Sequence, residues 1–256
     1  MRSVSQEEFS AMHSKSYFAE HATDQKIRER YFPDFARMGV MVEVEVGGGT
    51  PEFLSMSKHF KDNGWRVVIV EPNPLFASMH RAMGNEVVEC ACSSENQTNV
   101  PFTVVSQQVE AYGGIVTDHS FSSLALKPSY EAMIPKENVS RRSITVDARR
   151  LDSILESQGI SDVDLLSVDV EGWEIEVMKG LDTTRHSVGV IVLENLMHEA
   201  SYTEYMRSIH YKLDMKIEYI CIRTAMTTNN CIEGKVPSLT CYLQRHHFQG
   251  ESLAVS

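Results

Sequence analysis

"VEVEVGGGTPEF", residues 42–53, decides how the rest of the chain is read. Valine alternates with glutamate from Val42 to Val46, which is strand periodicity, and three glycines follow without a break. Glycines there let a backbone approach a ligand closely and adopt any positive φ the turn needs. Gly47 and Gly49 match the first two positions of the dinucleotide fingerprint, but Glu52 stands where the third glycine belongs. A carboxylate in the first helical turn is a poor neighbour for a pyrophosphate, which needs that terminus for its own charge. The Gly-Lys-Ser/Thr of a phosphate loop is also missing. A nucleoside without phosphate, carrying a positive amino group, suits Glu45 and Glu52 better.

Working outward, strands and helices alternate. "TPEFLSMSKHFKDNG" reads as a helix with Thr50 as N-cap, Pro51 in its first turn, and Phe53, Met56 and Phe60 as its buried stripe. "WRVVIVEPNP" is a second strand with Glu71 at its carboxyl end, "PLFASMHRAMGN" a helix, and "EVVECACS" a third strand. Residues 106–143 are less regular and read as an insertion or active-site loop region, with Ser122 and Ser123 as candidates to line an acceptor site. "ARRLDSILESQG" is a helix, "VDLLSVDVEG" a strand, "WEIEVMKGL" a short helix and "SVGVIVLEN" a strand. After a helix near 201–209, "YKLDMKIEYICIR" and "SLTCYLQRHH" read as two strands paired as an antiparallel hairpin. This alternation predicts a mostly parallel α/β sheet covered on both faces, with an antiparallel hairpin at one edge. Ligands of such sheets sit beyond the carboxyl ends of the strands, where Glu45, Glu71, Asp169 and Glu194 all fall.

Residues 1–38 read as an N-terminal helical cap, with Tyr17, His21 and Asp24 about one helical turn apart, as a lid over the pocket or as a solvated or core-packed face. Residues 39–256 read as the main domain. The 256 residues are 42% hydrophobic and 23% charged, an ordinary globular balance. A formal charge of -11 argues against a general grip on nucleic acid or anionic membrane, and leaves small molecules, cationic groups and peptides as partners. No apolar run of about 18 residues is present and "MRSVSQEEFSAMHSKS" lacks a signal-peptide core, so the expected location is the cytoplasm. The five cysteines fit no zinc pattern and are expected to be reduced. Oligomeric state is not legible.

"VEVEVGGGTPEF", "IVEPNP" and above all "VDARRLDSILESQGISDVDLLSVDVEGWEIEVMKGL" resemble the FkbM family of S-adenosylmethionine-dependent methyltransferases. The likeness runs over residues of about 40 to 223. It implies the Rossmann-like class I methyltransferase fold, a seven-stranded sheet whose last strand is reversed. It also implies that Glu45, Gly47 and Gly49 lie against the methionine part of the cofactor, that Glu71 holds the ribose with Asn73 close by, and that Ala91 and Cys92 border the adenine. The family usually has Asp at the position of Glu45 and often Lys at that of Ser167.

Methyl transfer from a sulfonium is an in-line displacement, so the enzyme must hold a nucleophile about 3 Å from the methyl carbon and remove its proton where needed. The candidates are Asp169, Glu171, Glu194 and His198. Asp169, also a cofactor contact, or His198 reads as a general base. Asp169, Glu194 and Asn195 read alternatively as oxygen ligands of a divalent cation, which is possible but not favoured. Glu171 reads as a cap for helix donors, and His198 as an exposed loop residue. The expected reaction is O-methylation of a sugar, polyketide, lipid-like molecule or peptide. N-methylation, an NAD(P)-dependent oxidoreductase on the same sheet, and a non-catalytic cofactor-binding module are the alternatives.

Overall fold

The computed structural model describes residues 16–46, 51–52, 54–111 and 114–226, with the backbone alone at 108–111 and 114–118. In chain order the strands are β1 (Val40–Glu45), β2 (Arg66–Val70), β3 (Glu86–Val88), β4 (Ala91–Cys92), β5 (Gln97–Ala111) and β6 (Gly114–Asp118). Then come β7 (Val139–Arg149), β8 (Asp162–Asp169), β9 (Ser187–Glu194), β10 (Tyr211–Ile217) and β11 (Ile220–Ala225). The helices are α1 (Thr23–Tyr31), α2 (Lys58–Asp62), α3 (Pro74–Ala82), α4 (Pro128–Glu131), α5 (Leu151–Ser157), α6 (Glu174–Lys179) and α7 (Ala200–Ser208).

Seven strands form the main sheet in the order β10-β11-β9-β8-β1-β2-β3. β1 pairs in parallel with β2 and β8, and β9 with β8; β11 is antiparallel to β9 and to β10. This is the class I methyltransferase arrangement, mostly parallel with a reversed edge. Strand order reverses between β1 and β8, so the crevice for a ligand opens there.

The core explains why these residues form strands. "VDLLSV" of β8 is buried throughout, as a strand covered on both faces must be. Val42, Val44, Leu166 and Val168 pack toward α5, α6 and α7 through Leu151, Ile154, Val177, Met178, Tyr202 and Met206. Met41, Ile69, Leu165, Val190 and Val192 pack on the opposite face against Ile27 and Tyr31 of α1, Phe32, Phe60 of α2 and Trp65. The start of β1 is tied to β8 by Asp164, which accepts from Val40 N at 2.7 Å and pairs with Arg37 at 2.5 Å.

Several expectations are corrected. The helix after β1 begins at Lys58, much later than Thr50, with Ser57 as N-cap; Gly47, Gly48, Gly49, Thr50 and Phe53 lie outside the described residues. "EVVECACS" is two strands, because the chain leaves the main sheet after Val88 and re-pairs with β7 at Ala91. The 106–143 region is only partly irregular: its two ends belong to a second sheet, β4-β7-β5-β6, while the stretch between β6 and β7 is loop around α4. Phe102 and Val104 of β5 turn into the core, and Ile144 and Val146 of β7 pack against it, an alternation of period two. The edge hairpin is formed within 211–225 as β10 and β11, turning at Glu218 and Tyr219; "SLTCYLQRHH" lies outside the described residues. The spacing of Tyr17, His21 and Asp24 makes no single helical face. Tyr17 precedes the helix and stacks on His59 at 4.5 Å, His21 has φ 54°, and Asp24 accepts from Phe18 N at 2.7 Å. Among the described residues, Cys90, Cys92 and Cys221 are buried free thiols, and no helix is long and apolar enough to cross a membrane.

Candidate active site

A cavity of about 280 Å³ lies over the carboxyl ends of β1, β8 and β9. Sheet register assembles its floor: Glu43 is level with Ser167 and Glu45 with Asp169, while Glu194 ends the next strand, level with Ile220 of β11. Side chains two apart share a face, so Glu43 and Glu45, Ser167 and Asp169 point together into one space. Ala19 and Glu20 form part of its wall. That segment is held by a bridge from Ala19 to Leu54 and by Tyr219, whose hydroxyl donates to Glu20. The N-terminal segment therefore does reach the pocket, but through Ala19 and Glu20.

Burial and mutual repulsion dominate the electrostatics. Burial, then Glu45, pushes Glu43 up to about 8, and burial pushes Glu45 to about 8. Burial, then Glu174 and Glu45, raises Asp169 to about 7. Glu194 rises well above its ordinary range through burial and the neighbouring Asp169, with which it makes a carboxyl–carboxyl hydrogen bond. Such a pair holds one proton between two oxygens and titrates as a unit.

Glu45 has a partner the sequence did not announce. His80 Nε2, on α3, lies 2.8 Å from Glu45 Oε1. Lys61 Nζ donates to Asn85 Oδ1, which turns the Asn85 amide nitrogen to His80 Nδ1 at 2.8 Å. With Nδ1 accepting, a neutral ring carries its proton on Nε2, which lies against Glu45 Oε1 without the alignment of a hydrogen bond. Burial lowers the His80 pKa and favours that neutral form. Within "PLFASMHRA" the histidine reads as an ordinary helix residue, so only the fold brings it to Glu45.

The other nominated residues separate into two groups. Asp169, Glu171 and Glu194 line the cavity with Glu45. Ala91 and Cys92 line a smaller apolar cleft with Phe102, Val170 and Trp173, continuous with the first through Val44, Glu45 and Val46. Glu71 is fully buried and accepts from Asn73 N at 2.5 Å; Asn73 caps α3 through Leu75 N and reaches His119 Nδ1 at 2.9 Å. Neither Glu71 nor Asn73 lines the cavity. His198 is exposed and 3.2 Å from Lys216 Nζ, outside the cavity. Asn195 spends its amide on Glu199, donating to its carbonyl at 3.0 Å and accepting from its N–H at 2.8 Å. Ser122 is likewise internal, its Oγ donating to His119 O at 2.7 Å, and Ser120 faces the cavity instead.

Glu174, not Glu171, caps the turn before α6: its Oε1 accepts from Val170 N at 3.1 Å and Gly172 N at 3.0 Å, and its Oε2 from Tyr202 OH. It also completes a carboxylate trio, because oxygens of Asp169, Glu174 and Glu194 lie within 4.8 Å of one another. The trio differs from the expected cation set by exchanging Asn195 for Glu174.

The donor set fits S-adenosylmethionine: carboxylates at Glu45 and Asp169 for an ammonium, and an apolar cleft for a purine. No sequence among curated proteins matches the chain. One solved structure with a related shape is precorrin-6y C5,15-methyltransferase from Geobacter metallireducens GS-15, 13% identical with a TM-score of 0.43, over 84% of this chain and 93% of that one. The methyltransferase FkbM domain matches residues 39–215, most of the length, so the chain belongs to the FkbM family of S-adenosylmethionine-dependent methyltransferases.

Proposed function

We propose that this enzyme methylates an oxygen of a small-molecule or peptide acceptor held over Asp169 and Glu194. The observation that carries the reading is the pair of carboxyls, Asp169 and Glu194, brought within 4.8 Å of each other at the ends of β8 and β9 inside the cavity that Glu45 also lines. When bound, S-adenosylmethionine supplies a methyl group on a positively charged sulfur. Glu45, oriented by His80, would take the ammonium, and Ala91, Cys92, Phe102 and Trp173 would surround the adenine. Glu71 is assigned the ribose, which requires the residues that now cover it to move aside. Asp169, raised to about 7, is balanced between accepting and releasing a proton near neutrality, as a general base should be. Glu194 shares the accepted proton.

Two measurements test this. Calorimetric titration with S-adenosylmethionine and, separately, with NAD(H) should give binding of the former; NAD(H) binding alone overturns the reading in favour of an oxidoreductase. A screen of sugars, hydroxylated lipids, polyketides and peptides, read by product mass and by fragmentation, should place the new methyl on oxygen. A methyl on nitrogen overturns the oxygen assignment.

A further inference from the structure

The cavity holds more carboxyl groups than the cofactor can use. Glu20, Glu43, Glu45, Asp169, Glu171 and Glu194 line it, and no lysine or arginine does so among the described residues. S-adenosylmethionine brings one net positive charge: a sulfonium and an ammonium against a carboxylate. Glu43 is the residue that charge balance leaves over. It sits on β1, two residues before Glu45 and so roughly 7 Å deeper along the strand. Central strands of parallel sheets ordinarily place apolar side chains at such positions. Glu43 is only 4% exposed; Ser57 and the Met56 N–H serve its carboxyl from one side, while its Oε2 is buried with no hydrogen-bond partner on the lining of the cavity. An acceptor oxygen left bare in that setting destabilises the fold unless a ligand serves it.

We propose that the methyl acceptor carries a protonated amine, and that Glu43 receives it at the cavity floor. The proposal rests on the methyltransferase reading and adds the class of substrate. Glu45, with its His80 partner, remains for the cofactor's own ammonium, and Asp169 with Glu194 for the reacting hydroxyl. A divalent cation on the Asp169, Glu174 and Glu194 trio fits less well, because both Glu174 oxygens are already engaged and Glu43 Oε2 would stay without a partner. The high pKa of Glu43 fits the same picture, since an amine that binds there displaces a proton from the empty site.

The test uses the full chain saturated with S-adenosylhomocysteine and two probes of matched shape, 5-aminopentan-1-ol and pentane-1,5-diol. Calorimetry should show the amine binding at least about tenfold tighter, with heats that depend on the ionisation enthalpy of the buffer as the proton leaves. Glu43→Gln should erase the preference, with S-adenosylhomocysteine binding reporting that the variant is folded; Glu43→Met serves if Glu43→Gln does not fold. Equal affinity for the two probes overturns the proposal, as does a preference that survives in the folded variant. Tight Mg²⁺ binding that abolishes the preference also overturns it, because the cation is then a metal. A chain that ignores S-adenosylhomocysteine fails the methyltransferase reading instead, and the same titration of the free chain still decides this one.

Discussion

Asp169 and Glu45 face the same cavity from adjacent strands, yet their neighbours prepare them for different work. Asp169 is paired with Glu194, whereas Glu45 lies 2.8 Å from the ring of His80. Asp169→Asn keeps the shape and removes the capacity to take a proton. Turnover should fall by the roughly 10²–10⁴-fold that an acid–base group supplies, with a much smaller change in cofactor affinity. Near-normal turnover would defeat the base assignment. His80→Phe should do the reverse, weakening S-adenosylmethionine binding by removing the polar ring that lies 2.8 Å from Glu45, as read by a higher dissociation constant. At this scale the strand-end acids were legible, because an acid closing an apolar run is conspicuous. His80 was not, since its role depends on a helix 35 residues further on folding back over Glu45.

Among the elements, α6 shows how tightly the site is built from below. Glu174 closes the turn between β8 and α6, and Gly172 in that turn has φ +91° with Tyr130 against it. At the other end of α6, Gly180 lies so near the Ser93 carbonyl that an added Cβ would stand 2.2 Å from that oxygen. Gly180→Ala should therefore force the helix off the sheet and cost about 1–3 kcal/mol, the usual range for overpacking. Thermal unfolding should show it as a lower midpoint, by about 2–4 °C per kcal/mol for a chain of this size. An unchanged midpoint would mean that α6 has room to shift. The trio beneath α6 makes a second check possible at this scale. Methyl transfer should be indifferent to EDTA, because Glu174 already spends its oxygens on backbone and tyrosine donors; activity lost to EDTA and restored by Mg²⁺ would assign the trio to a cation.

Over the whole molecule, the cavity acids with raised pKa values couple stability to pH. Glu43 and Glu45 titrate near 8 and Asp169 near 7 in the folded chain, against roughly 4 when unfolded. Between those values the folded state binds more protons than the unfolded one. Their contribution is thus complete below about pH 4 and is lost as pH rises through 7 to 8. The ligand-free unfolding midpoint should fall from pH 5 to pH 8.5, and Glu43→Gln should flatten the fall; an equal slope in that variant would mean that Glu43 is not the buried neutral acid described. The sequence by itself determined the strand–helix alternation of the central parallel sheet and the ends at which its acids stand. Those features are local or periodic: alternation, caps and apolar runs are written in neighbouring residues. The second sheet escaped notice because its long strands are partly exposed and β5 pairs with β7 far along the chain, from Gln107 with Val139 to Gln97 with Ala148, which no local pattern records. Tertiary structure alone decided that Glu43 faces a cavity, that His80 meets Glu45, that Glu174 caps where Glu171 was expected to, and that Asn195 and His198 serve a helix start and an exposed turn. Each of these depends on which side chains register and packing bring within 3 Å or so, and that distance is set by the fold.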